Sequence, residues 1–286
     1  MSSNILVVCQ QLKGYSKKLN RIVSNQFKIK FDLTKASLIA TAIASILFIM
    51  LIISSLFFST SINQITSVAT NLDTWQALKI TIASIFCSTI ITIVMGVPLA
   101  YLIVNRESKI KRIANLVLSI PLILPPAVAG LALLMTFGRR GILSIVLVKL
   151  DLGIPFTFLA VVITQVFTMM PLFTHSLKSG FEAINKQVRE AAMVCGADEK
   201  EILLFIYLPL SMRSFMTGVI IGCLRAAGEF GATIMFAGNL EGTTQTLATR
   251  IYTLAQNNIE QAIALAVVLI ITFLIPLLIL ELSKKR

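Results

Sequence analysis

The sequence predicts an all-α integral membrane protein with six transmembrane helices. Its 286 residues are 56% hydrophobic and 13% charged, and the mean hydropathy is +0.88, which is too apolar for a water-soluble domain of this length. Apolar runs with few charges recur at about the 20 residues that a helix needs to cross a bilayer. Lys and Arg cluster between these runs, a pattern typical of cytoplasmic loops.

Six segments fit the length and composition of a span: residues 36–58, 75–104, 113–137, 154–177, 212–238 and 260–280. They form a predicted transmembrane domain over residues 36–286. Residues 1–35 precede it with seven basic side chains and one acid, and without the small-residue cleavage site of a secretory signal. We interpret this segment as a cytoplasmic extension that binds lipid headgroups.

The basic residues also predict the orientation. Nineteen of the 25 Lys and Arg residues flank one side of the predicted spans, four lie in loops on the other side, and two lie within spans. The positive-inside rule therefore predicts a multi-pass protein of the cell membrane with both termini in the cytoplasm. Because membrane topology accounts for the net charge of +12, nucleic acid is not an expected partner.

The third predicted span is interrupted by prolines, including Pro125 and Pro126. Proline donates no backbone hydrogen bond and pushes on the preceding turn, so carbonyl groups become free at this depth. A membrane tolerates such a break where it faces protein or a water-filled cavity. The prolines therefore either line a transport path or form a purely structural kink.

Arg139 and Arg140 follow this span on the predicted outer side, against the positive-inside tendency. Guanidinium groups bind oxyanions through a bidentate fork, which favours a role in substrate transit. Contact with outer headgroups or with an acidic partner surface is the alternative. A short interfacial helix is expected next, at residues 142–150.

The fifth predicted span contains a charged pair, Arg225 and Glu229, near its middle. Charges at this depth are costly, and at i and i+4 the two side chains share one helix face. Small residues continue that face, and The pair is either a structural ion pair or part of a gate or oxyanion path.

Neither catalytic nor metal-binding clusters are apparent. The chain has one histidine, His175, and four widely spaced cysteines without a CxxC pair, so no metal site or disulfide framework is predicted. A membrane-embedded enzyme would need clustered nucleophiles or carboxylates in its spans. We therefore expect a transport protein rather than an enzyme, and an ion-coupled carrier that uses Glu229 remains one possible class.

The loop before the fifth span carries the most specific pattern, EAAMVCGADEKEILLFIYLP at residues 190–209. Small side chains at Ala191 and Ala192 would let a partner approach a helix backbone after Glu190. Gly196 readily takes the left-handed conformation that ends a helix. After Ile206 and Leu208, Pro209 is expected to open the next segment. An ordinary amphipathic connector is the alternative.

This spacing resembles the EAA loop of permease subunits of binding-protein-dependent ABC importers. The stretches PLILPPAVAGLALLMTFGRRG (121–141), RAAGEFGATIMFAGN (225–239) and TQTLATRIYT (244–253) further resemble permeases of molybdate or tungstate importers, with sulfate permeases close by. The resemblance covers roughly residues 75–280. It implies a type I importer permease fold with a cytoplasmic EAA coupling helix between helices 4 and 5.

The resemblance also implies partners: a second copy of this subunit, two cytoplasmic ABC ATPases, and an external protein that delivers the oxyanion. The chain contains no GxxxxGK[ST] phosphate loop, so ATP and magnesium are expected on the ATPases, and this chain is expected to bind no cofactor. Transport would proceed by alternating access. The coupling set is then Glu190, Ala191, Ala192, Gly196, Ile206, Leu208 and Pro209.

Overall fold

The computed structural model describes residues 35–105 and 108–283, and the regular structure in these ranges is helical. The predicted extension at residues 1–35 lies almost entirely outside the described residues. The chain divides after Phe58 into two compact units, which are described separately. The first unit contributes helix α1 (Lys35–Phe58), which is apolar throughout and carries almost only exposed side chains.

The second unit is a bundle of long membrane helices joined by short helices and breaks. In chain order its helices are α2 (Ile62–Ala69), α3 (Leu72–Asn105), α4 (Ser108–Ile123), α5 (Pro126–Phe137), α6 (Ser144–Lys149), α7 (Phe158–Glu182), α8 (Lys186–Val194), α9 (Glu199–Leu210), α10 (Met212–Ala227), α11 (Gly231–Phe236), α12 (Leu247–Asn257) and α13 (Ile259–Ser283). The bundle is organised around α7, which packs against α3, α4, α10 and α11.

The α3–α7 interface is built from small and polar side chains. Ser84, Ser88 and Thr92 of α3 are buried, and the Ser88 hydroxyl donates to Gln165 Oε1 on α7 at 3.1 Å. In a bilayer, small residues let helices approach closely, and hydrogen bonds between helices replace the missing hydrophobic drive. The opposite face of α3 exposes Ile82, Phe86 and other large apolar side chains, as expected of a surface in contact with lipid.

The membrane segments agree in part with the prediction. Helices α1, α3 and α7 are each long and apolar enough to cross a bilayer, and they match the first, second and fourth predicted spans. Helix α13 covers the sixth, although its qualifying apolar part, Ile259–Ile275, is shorter. In the described part of the chain, up to five segments qualify when each bent pair is counted as one span. The count of six therefore stays a prediction.

The third and fifth spans are not the continuous helices that we predicted. Residues 113–137 form two helices, α4 and α5, that meet at 114° around Pro125. Pro125 stands at the N-cap of α5 and Pro126 in its first turn, where a missing N–H costs little. In the fifth span, α10 ends at Ala227 and α11 begins at Gly231.

The predicted short helices in the outer loops are confirmed. Helix α6 lies within residues 142–150, and α12 begins after Thr246, close to the predicted helix at residues 244–256. The Thr246 side chain caps α12 by accepting the Thr249 N–H at 3.3 Å, and the Thr249 side chain accepts the Thr246 N–H in return. A reciprocal cap of this kind satisfies two N–H groups that the helix cannot.

Candidate functional site

Helix α8 and the turn after it carry the EAA pattern. The Asn185 side chain accepts the N–H of Gln187 at 3.0 Å and starts the helix. At the other end Gly196 adopts φ +89°, and the N–H of Ala197 bonds to Ala192 O at 3.0 Å. The predicted helix and its left-handed glycine stop are therefore confirmed.

Helix α9 follows at once from a reciprocal cap between Asp198 and Glu201. Residues 202–207 are wound as a wider π-helical turn, in which the N–H of Leu208 bonds to Leu203 O. Pro209 lies inside this helix, and the next helix begins only at Met212 after Ser211. The prediction that Pro209 opens the fifth span is therefore wrong, because the π-turn beside it already rearranges the bonding ladder that a proline would interrupt.

The seven residues predicted for coupling fall into two groups. Glu190, Ala191, Gly196 and Pro209 are exposed. Ala192, Ile206 and Leu208 are half-buried and pack on a core formed by the inner ends of α3 and α7 with α9. One group is therefore available to a partner, whereas the other fixes the helices to the membrane bundle.

Large apolar side chains extend the exposed group. Met193 is 50% exposed, Val194 88% and Phe205 75%. We call the segment from Lys186 to Leu210, with these side chains, the EAA corner. An exposed apolar patch beside small residues at a helix end is typical of a protein interaction surface.

An ionic cluster ties the EAA corner to α3. The Tyr101 hydroxyl donates to Glu199 Oε2, and Arg189 Nη2 lies 2.5 Å from Glu199 Oε1. The Tyr207 hydroxyl donates to Asn105 Oδ1 at 3.3 Å close by. Burial alone would lower the pKa of Arg189, but its hydrogen bonds to Tyr101 and Glu199 raise the pKa above the ordinary value, so the side chain stays charged.

Sequence reasoning missed Tyr101, Arg189 and Glu199 as members of this cluster. Arg189 directly precedes the EAA pattern and Glu199 lies within it, so both were in view as loop charges. Tyr101 was interpreted only as an interfacial ring, because no local pattern connects residues 98 positions apart in the chain. Two cavities of 320 and 430 Å³ flank the cluster, and Asn105 and Arg189 line both.

The second candidate region is the interruption between α10 and α11, residues 228–230, which we call the central break. Glu229 is only 2% exposed, and its Oε1 accepts the N–H of Ala232 at 3.0 Å. Its Oε2 lies 2.6 Å from Arg225 Nη1. This contact is an ion pair without hydrogen-bond alignment, since Oε2 accepts no hydrogen bond from the described residues.

The predicted common helix face through Arg225, Glu229 and Ala232 is wrong beyond Ala227, where α10 ends. The glycine part of that face is confirmed, because a Cβ on Gly218 or Gly222 would lie 3.1 Å or 3.2 Å from Phe173 or Met169 of α7. The break redirects the acid instead. Its carboxylate turns toward the start of α11 and leaves Arg225 at the end of α10.

The two interrupted spans meet at this level. A Cβ on Gly231 would lie 2.5 Å from Pro126 Cβ, and one on Gly130 would lie 2.7 Å from Ala232 O. These approaches require glycine because backbone atoms of the partner helix occupy the space. The structure therefore brings Pro126 and Gly231 together with Glu229 nearby in sequence, whereas Arg139 and Arg140 lie exposed beyond the far end of α5.

An outer charged residue was also missed. Arg250 of α12, expected in an exposed loop, is 6% exposed. It lies 3.2 Å from Asp73 and bonds to Gln245 at 3.2 Å and Asn71 at 3.3 Å. In the next turn Tyr252 packs on Phe230 of the central break with ring centroids 4.8 Å apart. Helix α12 thus joins the start of α3 to the break.

Comparisons with known proteins match this architecture. The family model described as "Binding-protein-dependent transport system inner membrane component" matches residues 92–286. The "Probable transport system permease protein NifC" of Clostridium pasteurianum is 32% identical over 94% of this chain and 96% of its own. The "Molybdenum transport system permease protein ModB" of Escherichia coli K12 is 31% identical over 74% of this chain and 96% of its own.

A solved bacterial ABC transporter for import of the acidic polysaccharide alginate contains a chain of similar fold. Its TM-score is 0.68 at 17% identity, over 89% of this chain and 95% of that one. A second structure, an alginate ABC transporter in complex with a pentasaccharide-bound periplasmic protein, gives 0.65 at 17% identity over 85% and 92%. At this identity the likeness establishes the fold alone.

Proposed function

Because the chain belongs to the family of binding-protein-dependent transport system inner membrane components, we propose that it is the membrane subunit of an ATP-driven molybdate importer. It is a transport component and not an enzyme. The observation that carries the choice of molybdate is the 31% identity to a molybdenum transport permease over 96% of that relative. Tungstate shares the same tetrahedral dianion geometry and belongs to the same proposal.

The proposed assembly contains two copies of this subunit, two cytoplasmic ABC ATPases and an external oxyanion-binding protein. ATP and magnesium are held by the ATPases, since this chain lacks a phosphate loop. The distribution of basic residues supports cytoplasmic termini and an EAA corner on the cytoplasmic side.

Coupling is proposed to run through α8. Its exposed residues Glu190 and Ala191, together with Met193 and Val194, form the surface that an ATPase groove would take up. Ala192 and Ile206 pack on the inner ends of α3 and α7, so a displacement of α8 is transmitted to long membrane helices. ATP-driven closure would then switch the path between outward and inward openings by rigid-body motion.

The test is reconstitution of the full complex in proteoliposomes with the binding protein outside. Uptake of molybdate that requires ATP, with tungstate competing and sulfate competing weakly, supports the proposal. Sulfate uptake that molybdate does not displace would assign the chain to the sulfate-type alternative. Uptake that follows an ion gradient without the ATPases would instead support a carrier that uses Glu229, a class that the family match does not favour.

Two variants sharpen the coupling step. Glu190→Lys reverses a charge on the exposed face of α8, and we expect ATPase to copurify poorly with it. Lys186→Gln, on the same helix outside the pattern, is the matched control and should retain the ATPase. Equal ATPase recovery with both variants would contradict the proposed docking face.

A further inference from the structure

We propose that Arg225 contacts the oxyanion as it crosses the central break, and that Glu229 holds the guanidinium between transits. This inference rests on the proposed function, because it assigns a contact for the transported anion. It concerns a side chain whose donors are not used by the fold.

The Arg225 guanidinium has unused hydrogen-bonding capacity. It carries five N–H donors, and among the described residues none accepts a hydrogen bond from it. Its side chain is 39% exposed, in contrast to the 1% of the Glu229 side chain. A guanidinium that is both accessible and free of hydrogen bonds can offer its fork to a tetrahedral oxyanion.

Glu229 is held in place independently of Arg225. Its Oε1 accepts the Ala232 N–H, and its backbone N–H bonds to Ala226 O at 3.1 Å. The second carboxylate oxygen, Oε2, is buried with no hydrogen-bond partner in the described part of the chain. The carboxylate is therefore fixed while the arginine is not, so the arginine is the member of the pair that can change partner.

Open space adjoins the pair at Gly228. This residue is exposed, and a Cβ placed on it would meet nothing nearer than Leu224 O at 3.9 Å. Its neighbours Gly222 and Gly231 are, by contrast, closely packed against other helices. The opening therefore lies on the Arg225 side of the break.

Charge balance suits passage rather than trapping. A lone arginine at this depth would hold a dianion firmly, whereas an arginine shared with Glu229 presents a nearly neutral pair. The anion then competes with an internal carboxylate for the same guanidinium. Weak, exchangeable binding is what conduction requires, because a site must release what it takes up.

The contact is tested by thiol accessibility at Gly228, which lies beside Arg225 and has room for a side chain. Gly228→Cys is introduced into the assembled complex after Cys9, Cys87, Cys195 and Cys223 are replaced by serine. The introduced thiol is reacted with methanethiosulfonates that carry either a sulfonate or a trimethylammonium group. The cysteine-free protein without Gly228→Cys gives the background.

We expect the sulfonate reagent to react faster than the cationic one, and molybdate to slow labelling where equal ionic strength of chloride does not. Arg225→Gln should lower the sulfonate preference by about tenfold, the loss expected from one charge-assisted contact, and should remove protection by molybdate. Arg213→Gln, an exposed arginine at the start of the same helix, should change neither. An unchanged preference and unchanged protection in Arg225→Gln would overturn the inference.

Uptake separates this inference from the proposed function. Wild-type complex that fails to import molybdate refutes the function, whatever the labelling shows. If wild type imports molybdate, we expect Arg225→Gln to reduce uptake about tenfold with binding-protein-stimulated ATPase retained, and Arg225→Lys to reduce it less. Uptake by Arg225→Gln within twofold of wild type, or a parallel loss of uptake and ATPase that Arg225→Lys shares in full, would refute the anion contact alone.

Discussion

The EAA corner and the central break each contain an arginine and a glutamate in contact, yet they satisfy these charges in opposite ways. Glu199 has a side chain that is 60% exposed, and both of its oxygens contact partners in the protein, Tyr101 and Arg189. Glu229 is buried, and one of its oxygens accepts no hydrogen bond from the described residues. Water could have satisfied the first acid, whereas the second has no such substitute.

This contrast separates two roles. At the corner, a complete set of bonds between α3, α8 and α9 fixes the orientation of a helix that is proposed to move as a unit. At the break, an incomplete set leaves a charge that can accept a new partner. Buried polar groups without partners are uncommon, and they are more frequent where a ligand completes them.

The largest effect is expected from removing the buried acid. Glu229→Ala leaves Arg225 unpaired and deletes the acceptor for the Ala232 N–H, so the free energy of unfolding should fall by about 3 kcal/mol. Glu229→Gln keeps an acceptor oxygen and should cost less. Thermal unfolding of the purified complex measures both. Equal midpoints for the two variants would show that the break does not depend on this acceptor.

The next effect tests the tight meeting of the interrupted spans. A methyl group in Gly130→Ala would lie 2.6 Å from Met235 Cβ and 2.7 Å from Ala232 O, where backbone cannot easily move. We expect a loss of about 2 kcal/mol from overpacking. Gly228→Ala, at the open side of the same region, is the control and should unfold at the wild-type temperature. A tolerated Gly130→Ala would mean that α5 and α11 separate readily.

A smaller effect is expected at the corner. Gly196 has φ +89°, a conformation that costs a residue with a Cβ about 1 kcal/mol, although nothing lies within 4 Å to clash. Gly196→Ala should therefore reduce stability by that amount through backbone strain alone. Gly153→Ala has equally free space without positive φ and serves as the control. Similar midpoints for both variants would contradict a strained helix stop.

The smallest change in stability is expected from Tyr101→Phe, which removes one hydrogen bond to the exposed Glu199. Water can replace it, so the cost should be about 0.5 kcal/mol. The coupling should suffer more, because α8 loses a tie to α3. We expect fewer molybdate ions imported per ATP hydrolysed, measured in the same vesicles. Phe181→Leu, in the same core without a polar contact, should leave that ratio unchanged even if it lowers stability.

The local features could be predicted from the sequence because each depends on near neighbours in the chain. Apolar length located α1, α3 and α7, and the EAA spacing located α8 with its glycine stop. The turn chemistry around Thr246 placed α12. In each of these cases the deciding contacts lie within a few residues.

The errors have a common physical origin in long-range packing. A helical projection treats residues 212–238 as one rod, but Gly231 packs on Pro126 and the chain turns to reach it. The position of Pro209 depends on a π-turn that joins the inner core. Arg250 was expected at the surface, and Asp73, 177 residues away, accounts for its burial.

By itself the sequence determined the membrane class, the locations of the apolar segments and the segment that carries the EAA pattern, because hydropathy, charge and short-range spacing suffice for these. Only the tertiary structure decided that two spans are interrupted and meet at Pro126 and Gly231. It alone decided that Glu199 is fully bonded while Glu229 is not. The physical reason is that burial and hydrogen bonding between distant residues depend on how helices pack, and no periodicity along the chain records that packing.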